Sequence, residues 1–516
     1  MQYFYPLLVY TGLTGILLLL GIELIPNLKA WHKPMTAAWL SFLTLIWLLL
    51  PQDGQWVFSV WLPSSVLGGQ ILLAMSPDIW FLGLVLGLVL SGIGWVEAVE
   101  VRPALPLSGA LVLFALLTTW LSISGGSLLT VLAAWAAFDL FWGVARLLSG
   151  GVGERATFGL ALHGVASLLL WVVSLLLERG GISALWWLMW PTPAILALLS
   201  GAALLRIGVY PFQIILPRRL GSFGTLTMVS AIGPVLGIGL LARILKLPGV
   251  EGVPSWVAIP GAVSLLFLAV RAWCEQGWRA LLWCSYAMLG GIVAGATAMG
   301  ASALVLPAMT AWLAGWTLIF LSRGHDSHAI FWSWPGWLAV ICLLGAPPSP
   351  LGELYRASLM AVPWVWRLVL VVGWAFMGAG MLRELHLRQQ AQITPAWSWQ
   401  QAALFIGFVM PLGGLLWALS MGGLAPFSWL GTLLWLIALA AACALVWKGD
   451  SVAAWLQGIR PVVDLLDLAW LYRALWQGLE HLLSIVRIVS AVVEGRGALL
   501  WSLLALLIAL LVVVNQ

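Results

Sequence analysis

The sequence specifies an all-α polytopic membrane protein of about 16 transmembrane helices. These comprise two inverted five-helix repeats, each with a broken helix, followed by a C-terminal amphipathic lateral helix and a final transmembrane helix. Three observations predict this. Of 516 residues, 63% are hydrophobic and only 8% charged, which no soluble domain of this size matches. The basic residues fall almost entirely in alternate loops. Two apolar stretches, 198–243 and 334–356, are interrupted by prolines beside an arginine.

Taken in order, the apolar runs give spans at 6–25, 35–50, 77–96, 105–121, 128–148, 157–177, 192–217, 224–243, 256–272, 280–297, 303–321, 334–356, 359–382, 402–419, 429–447 and 497–514. A polar loop holding Asp53 and Gln55 follows the second. Residues 1–5 lack the basic start of a cleavable signal, so the first span is read as a retained helix. Span 7 carries Arg206, with Pro211 and Pro217 following it. A proline removes a backbone donor and breaks the helix, and an intramembrane arginine is costly unless it faces protein, water or a partner charge. A broken helix beside a cation fits an ion or substrate route; the alternative is a kinked structural helix whose arginine snorkels to the interface. Span 12 repeats the device, with Pro347, Pro348 and Pro350 ahead of Arg356.

Loops after odd-numbered spans hold Lys29, Lys33, Arg102, Arg146, Arg155, Arg218, Arg219, Arg271, Arg279, Arg323, Arg383, Arg388 and Lys448; those after even-numbered spans hold little beyond Arg179 and Lys246. This bias predicts an N-terminus outside and odd-numbered loops in the cytoplasm. It also predicts a single interrupted crossing at span 7, since two full crossings there would scramble it. The expected organisation is N-terminal helices at 1–100, a first repeat at 101–243 and a second at 256–383. Two spans at 400–448, a lateral helix at 451–493 and a terminal span at 497–514 complete it. Five spans per block make successive blocks start on opposite sides, hence inverted. In the lateral segment Asp464, Asp467, Arg473, Glu480 and Arg487 recur among Leu, Trp and Val. After Pro461 this fits an amphipathic helix of about thirty residues on the cytoplasmic surface, either a strut across a neighbouring subunit or a tail touching only its own.

Charges inside spans are few and therefore informative. Asp139 in span 5 is a proton-relay or ion-pair candidate. Arg206 and Arg356 stand beside the two breaks, Arg279 at the cytoplasmic mouth of span 10, and Arg367 in span 13. His163 in span 6 is a relay candidate or a packing residue. His325, Asp326 and His328 in a loop form a metal site or a solvated turn. Arginine holds its proton too tightly to be a carrier, so Arg206 and Arg356 are expected to pair or gate. Cys274, Cys284, Cys342 and Cys443 lack metal-ligand spacing. There is no phosphate-binding glycine loop, dinucleotide fingerprint, zinc-protease motif or nucleophile elbow. No cofactor, no metal and no catalytic centre are expected, and the scattered basic residues exclude nucleic-acid binding.

Three runs resemble the antiporter-like, proton-pumping membrane subunits of respiratory complex I and of cation/proton antiporters, above all the long distal subunit that ends in a lateral helix. In that family a lysine and an apolar run precede PLHTWLP; here Arg206 and IGVYPFQIILP stand in their place, with Gln213 at the histidine. RALLWCSYAMLGG puts Arg279 at a second family lysine, and GAPPSPLGELYR is similar to the second broken helix, with Arg356 at its lysine. The family's acid follows a tryptophan in span 5; here Ala136 follows Trp135 and Asp139 lies one turn on. A family histidine falls at Val229 and a lysine near Trp316. The resemblance implies a half-channel around each broken helix and a central polar axis. It implies proton translocation driven by quinone reduction in an NADH (or other donor):quinone oxidoreductase of the bacterial-type inner membrane. Its implied partners are other membrane subunits, lipids, protons and, indirectly, soluble redox subunits. A structural subunit with a degenerate channel remains open, as does a subunit of a sodium/proton antiporter, membrane hydrogenase or inorganic-carbon uptake complex.

Overall fold

The computed structural model describes residues 4–60, 70–99, 107–148, 154–213, 225–300, 302–323, 330–386, 399–423 and 428–493. The terminal span, Pro217 and the stretch with His325, Asp326 and His328 lie outside these. The helices are α1 Phe4–Leu24, α2 His32–Leu48, α3 Pro77–Val99, α4 Ser108–Ser124, α5 Leu128–Leu148, α6 Glu154–Arg179, α7 Pro193–Ile207, α8 Thr225–Ile244, α9 Ala258–Trp273, α10 Trp278–Met299, α11 Ser302–Arg323, α12 Ile330–Leu343, α13 Pro350–Ala361, α14 Trp364–His386, α15 Trp399–Ser420, α16 Trp429–Trp447, α17 Gly449–Gly458, α18 Arg460–Leu466 and α19 Ala469–Val493. Among the described residues, ten are long and apolar enough to cross a membrane. The protein is therefore an all-α polytopic membrane protein.

Helices that are apolar all round belong in a bundle interior or in lipid. α10 and α11 are buried along nearly their whole length, whereas α1 and α16 bury only a narrow face. Tryptophans fill much of the interior, and several donate their N–H groups to backbone carbonyls. Trp47 and Trp120 stack with centroids 4.5 Å apart and donate to Trp80 O and Gly83 O, both at 2.9 Å.

Helix ends meet in two groups. The Glu23 carboxylate in the last turn of α1 accepts from Leu107 N ahead of α4 at 2.7 Å. Arg383 near the end of α14 donates to Glu275 O after α9 at 2.8 Å. In the other group Leu128 N donates to Ala184 O and Trp186 N to Gly126 O, and Lys246 Nζ lies 2.5 Å from Asp78 Oδ2. The first group joins segments after odd-numbered spans, the second segments after even-numbered ones. That alternation is what a serpentine chain produces. The Lys246–Asp78 pair is 40% and 47% exposed, so Lys246→Ala is expected to change stability by less than about 1 kcal/mol, read as a nearly unchanged melting temperature in detergent.

Two expectations are corrected. The stretch read as a polar loop after the second span forms an antiparallel hairpin, β1 Gly54–Val60 and β2 Gln70–Met75, irregular between Val57 and Ser59. QWVFSV and QILLAM are β-branched or aromatic-rich and too short to span, and Thr130 of α5 bonds the Leu72 N–H and C=O at 2.9 and 3.1 Å. The lateral segment is not one helix. The chain parts between Gly458 and Ile459 into two compact units, and within the second a left-handed Leu468 (φ 54°) separates α18 from α19. A non-glycine residue at positive φ ends a helix because its Cβ crowds the following carbonyl.

Candidate functional site

The site is built where α7 stops. Thr192 caps its start by accepting from Ile195 N at 3.4 Å, and Pro193 holds the first turn. Fifteen residues later, about 22 Å along the axis, Gly208 adopts φ 77° and ends the helix, a conformation glycine tolerates and other residues resist. The chain then turns through Tyr210 and a cis Pro211. Tyr210 N donates to Ser264 Oγ of α9 at 2.5 Å, so the break is tethered to α9. Gln213 is buried just beyond it.

Arg206, in the last turn of α7, is 1% exposed. Its Nη1 donates to Asp139 Oδ1 at 2.5 Å and its Nη2 to Trp135 O at 3.3 Å. Its guanidinium carbon lies 4.5 Å from the Trp135 ring centroid and 5.5 Å from that of Phe138. Trp135 and Asp139, four apart on α5, share one face; that face receives Arg206. His163 of α6 is 1% exposed, with Nδ1 3.2 Å from the same Asp139 Oδ1 and its ring 5.1 Å from Trp142. The Asp139 side chain is 13% exposed. Three helices thus bring a fixed cation, a carboxylate and an imidazole together in the bundle. A buried cation without a counter-charge is strongly destabilising, and the carboxylate, a carbonyl and two aromatic faces supply what water would. Trp135 is itself held, its Nε1 donating to Ser122 Oγ of α4 at 3.0 Å.

The second break differs. Between α12 and α13 the chain passes through Gly345 (φ 93°) and the cis Pro347–Pro348 bond. Pro350 begins α13, while Trp374 and Trp435 donate to Leu344 O at 3.2 and 2.7 Å. Arg356 donates to Gly345 O at 3.0 Å and lies 5.7 Å from the Trp435 ring. Glu353, one turn before it, is buried and accepts from Gly423 N. The sequence marks Glu353 only as an acid in the first turn after a double proline, three residues from the arginine. Nothing in the sequence marked Trp135 or Ser264 as a partner.

The other candidates lie apart from Asp139. Arg279 is 46% exposed in the first turn of α10, with Nη1 3.8 Å from Glu275. It belongs to a group of charges with Arg271, Glu275, Arg383 and Glu384, in which Glu384 accepts from Gly277 N at 2.8 Å and Arg383 pairs with Glu384 at 2.9 Å. Arg367 donates to Val362 O at 2.9 Å. Among the described residues no three His, Cys, Asp or Glu side chains cluster as a metal site requires, and the four cysteines form no disulfide.

No protein-family model matches the chain, and no curated protein matches it significantly. Solved structures do. A chain from the structure of the Mrp complex of Dietzia sp. DQ12-45-1b matches at TM-score 0.74 and 18% identity, over 98% of this chain and 62% of that one; the present chain is thus under two thirds of its length. A chain of the membrane-bound sulfane sulfur reductase, an archaeal respiratory membrane complex, matches at TM-score 0.71 and 14% identity, over 99% and 100%. A chain of respiratory complex I from Thermus thermophilus with bound aureothin matches at TM-score 0.58 and 18% identity, over 82% and 99%. At these identities the likeness is one of fold alone, shared with chains of these three membrane complexes.

Proposed function

We propose that this chain is an antiporter-like membrane subunit of a multisubunit complex-I-like assembly, and that it translocates protons across a bacterial-type inner membrane as quinone reduction proceeds in other subunits. The observation carrying this reading is the buried Asp139–Arg206–His163 cluster at the end of a half-helix. A charge pair buried inside a membrane bundle is expensive to build, and one poised at a backbone break has polar groups and room to exchange partners. In this reading spans 4–8 and 9–13 form inverted repeats with α7 and α12–α13 as their interrupted members. The N-terminus is outside, the lateral helices lie on the cytoplasmic side as a strut for neighbouring membrane subunits, and the soluble redox subunits act indirectly.

The test is proton uptake by liposomes holding the intact purified complex. Asp139→Asn and Arg206→Ala are each expected to lower translocation per electron about tenfold or more, with electron transfer continuing. Unchanged coupling in both variants removes the conducting reading.

One observation favours a second reading, a coupling subunit whose own channel is degenerate. α8 and α11 lie between the two breaks, and α4 and α10 flank them. In these helices the only Asp, Glu, Lys, Arg or His residues are Arg243, Arg279 and Arg323, all in terminal turns. A proton crossing from one break to the other would have to follow water past hydroxyls alone. Under this reading both variants weaken assembly or stability and leave the proton yield of the remaining complex intact.

A further inference from the structure

Resting on the reading that this chain moves protons, we infer that His163, and not Arg206, takes up and releases the proton at the first helix break, while Arg206 is a permanent cation that changes partner.

The argument begins with what each group can do. A guanidinium keeps its proton at any pH a cell meets, so the residue at the family's lysine position cannot carry one away. Asp139 is a carboxylate already holding an arginine at 2.5 Å. An imidazole gains and loses a proton near neutrality in its ordinary state, and His163 has its Nδ1 3.2 Å from the oxygen Arg206 holds. The two helices packed along α6 are α5 and α7; among their described side chains the charged groups are Asp139, which faces His163, and Arg206, which holds the same carboxylate. One carboxylate oxygen therefore serves two donors.

With neutral His163 presenting Nδ1–H to Asp139, the cluster carries no net charge. A hydronium ion gives its proton to Nε2 and leaves as water; the imidazolium brings the cluster to a net charge of +1, with two cations facing one carboxylate. Arg206 has a second set of partners within reach, the Trp135 carbonyl at 3.3 Å and the Trp135 ring at 4.5 Å. Protonation of His163 thus draws Asp139 toward the imidazolium and leaves the guanidinium to Trp135. Release of the proton to water reverses the exchange, and no bond other than N–H forms or breaks. Trp142, whose ring is 5.1 Å from that of His163, limits where the imidazole can swing.

Two measurements on the intact complex test this. The first is the rate of proton translocation in liposomes and its pH profile. His163→Gln is expected to lower the rate about tenfold or more and to flatten the profile between about pH 5.5 and 8.5. In the unaltered complex labelled with ¹⁵N-histidine, the resonance assigned to His163 by its absence in His163→Gln, or in His163→Asn where that variant accumulates better, is expected to convert between neutral and cationic forms over the same range. A His163→Gln complex with the full rate and profile overturns the inference, as does a His163 resonance fixed in one form. If the unaltered complex moves no protons, the function proposed above fails instead, and the ¹⁵N titration still decides whether His163 changes state.

Discussion

Asp139→Asn is expected to destabilise the protein by about 3–5 kcal/mol and to lower its melting temperature in detergent by many degrees. The reason is what it leaves behind. Arg206 is 1% exposed, and its strongest bond is to Asp139 Oδ1 at 2.5 Å. Without the carboxylate, a guanidinium stays charged in a bundle interior with a carbonyl and two aromatic faces for company, and it cannot neutralise itself by losing a proton. Removing both members is expected to be far milder. Asp139→Leu with Arg206→Met replaces the pair by apolar side chains of similar volume, and such replacements are often neutral or stabilising. The double variant should therefore melt near the unaltered protein while translocating nothing. If Asp139→Asn alone melts like the unaltered protein, Arg206 is not held by Asp139 and the site as described is wrong.

Gly352→Val is expected to collapse the second break. Gly352 lies in the first turn of α13 against the backbone of Gly345, and even a Cβ there would collide with the Gly345 carbonyl group and Cα. Backbone at a turn fixed by prolines has little freedom to withdraw. That carbonyl also accepts the Arg356 hydrogen bond at 3.0 Å, so the substitution loosens the arginine as it strains the turn. Overpacking of this kind costs about 1–3 kcal/mol, and loss of a charge-assisted bond adds about 1.5–3 kcal/mol. Reduced accumulation in the membrane and a lowered melting temperature are the readouts. Gly352→Ala should lie between Gly352→Val and glycine, and a Gly352→Val protein as stable as the parent would show that the Gly345–Gly352 contact is not tight.

The break in α7 was legible because a proline announces itself: it lacks the donor that position needs, whatever surrounds it. The hairpin at Gly54–Val60 was not, because short apolar alternation reads alike as loop or strand until a partner appears, here Gln70–Met75 with Thr130 bonding its edge. The lateral segment kept its amphipathic spacing across Leu468, so periodicity alone could not reveal the turn that divides it. Asp139 and His163 stood out because a charged or titratable residue in an apolar span is rare and costly. Arg206 stood out for the same reason; that a single Asp139 oxygen lies against both Arg206 and His163 did not, since the three sit on α5, α7 and α6. Three residues on three helices meet only through the way those helices pack.

Composition, the alternation of basic loops and the two proline clusters determined by themselves that the chain is a many-helix membrane protein with interrupted helices. Each is a local property, a cost borne by the residue in lipid or at the interface regardless of its neighbours. Which buried arginine finds a carboxylate was decided by tertiary structure alone. Arg206 and His163 both meet Asp139, Arg356 instead meets the Gly345 carbonyl, and Arg279 stays near the surface with Glu275. The rotation of one helix against another sets those distances, and that rotation is fixed by the summed packing of every residue along both.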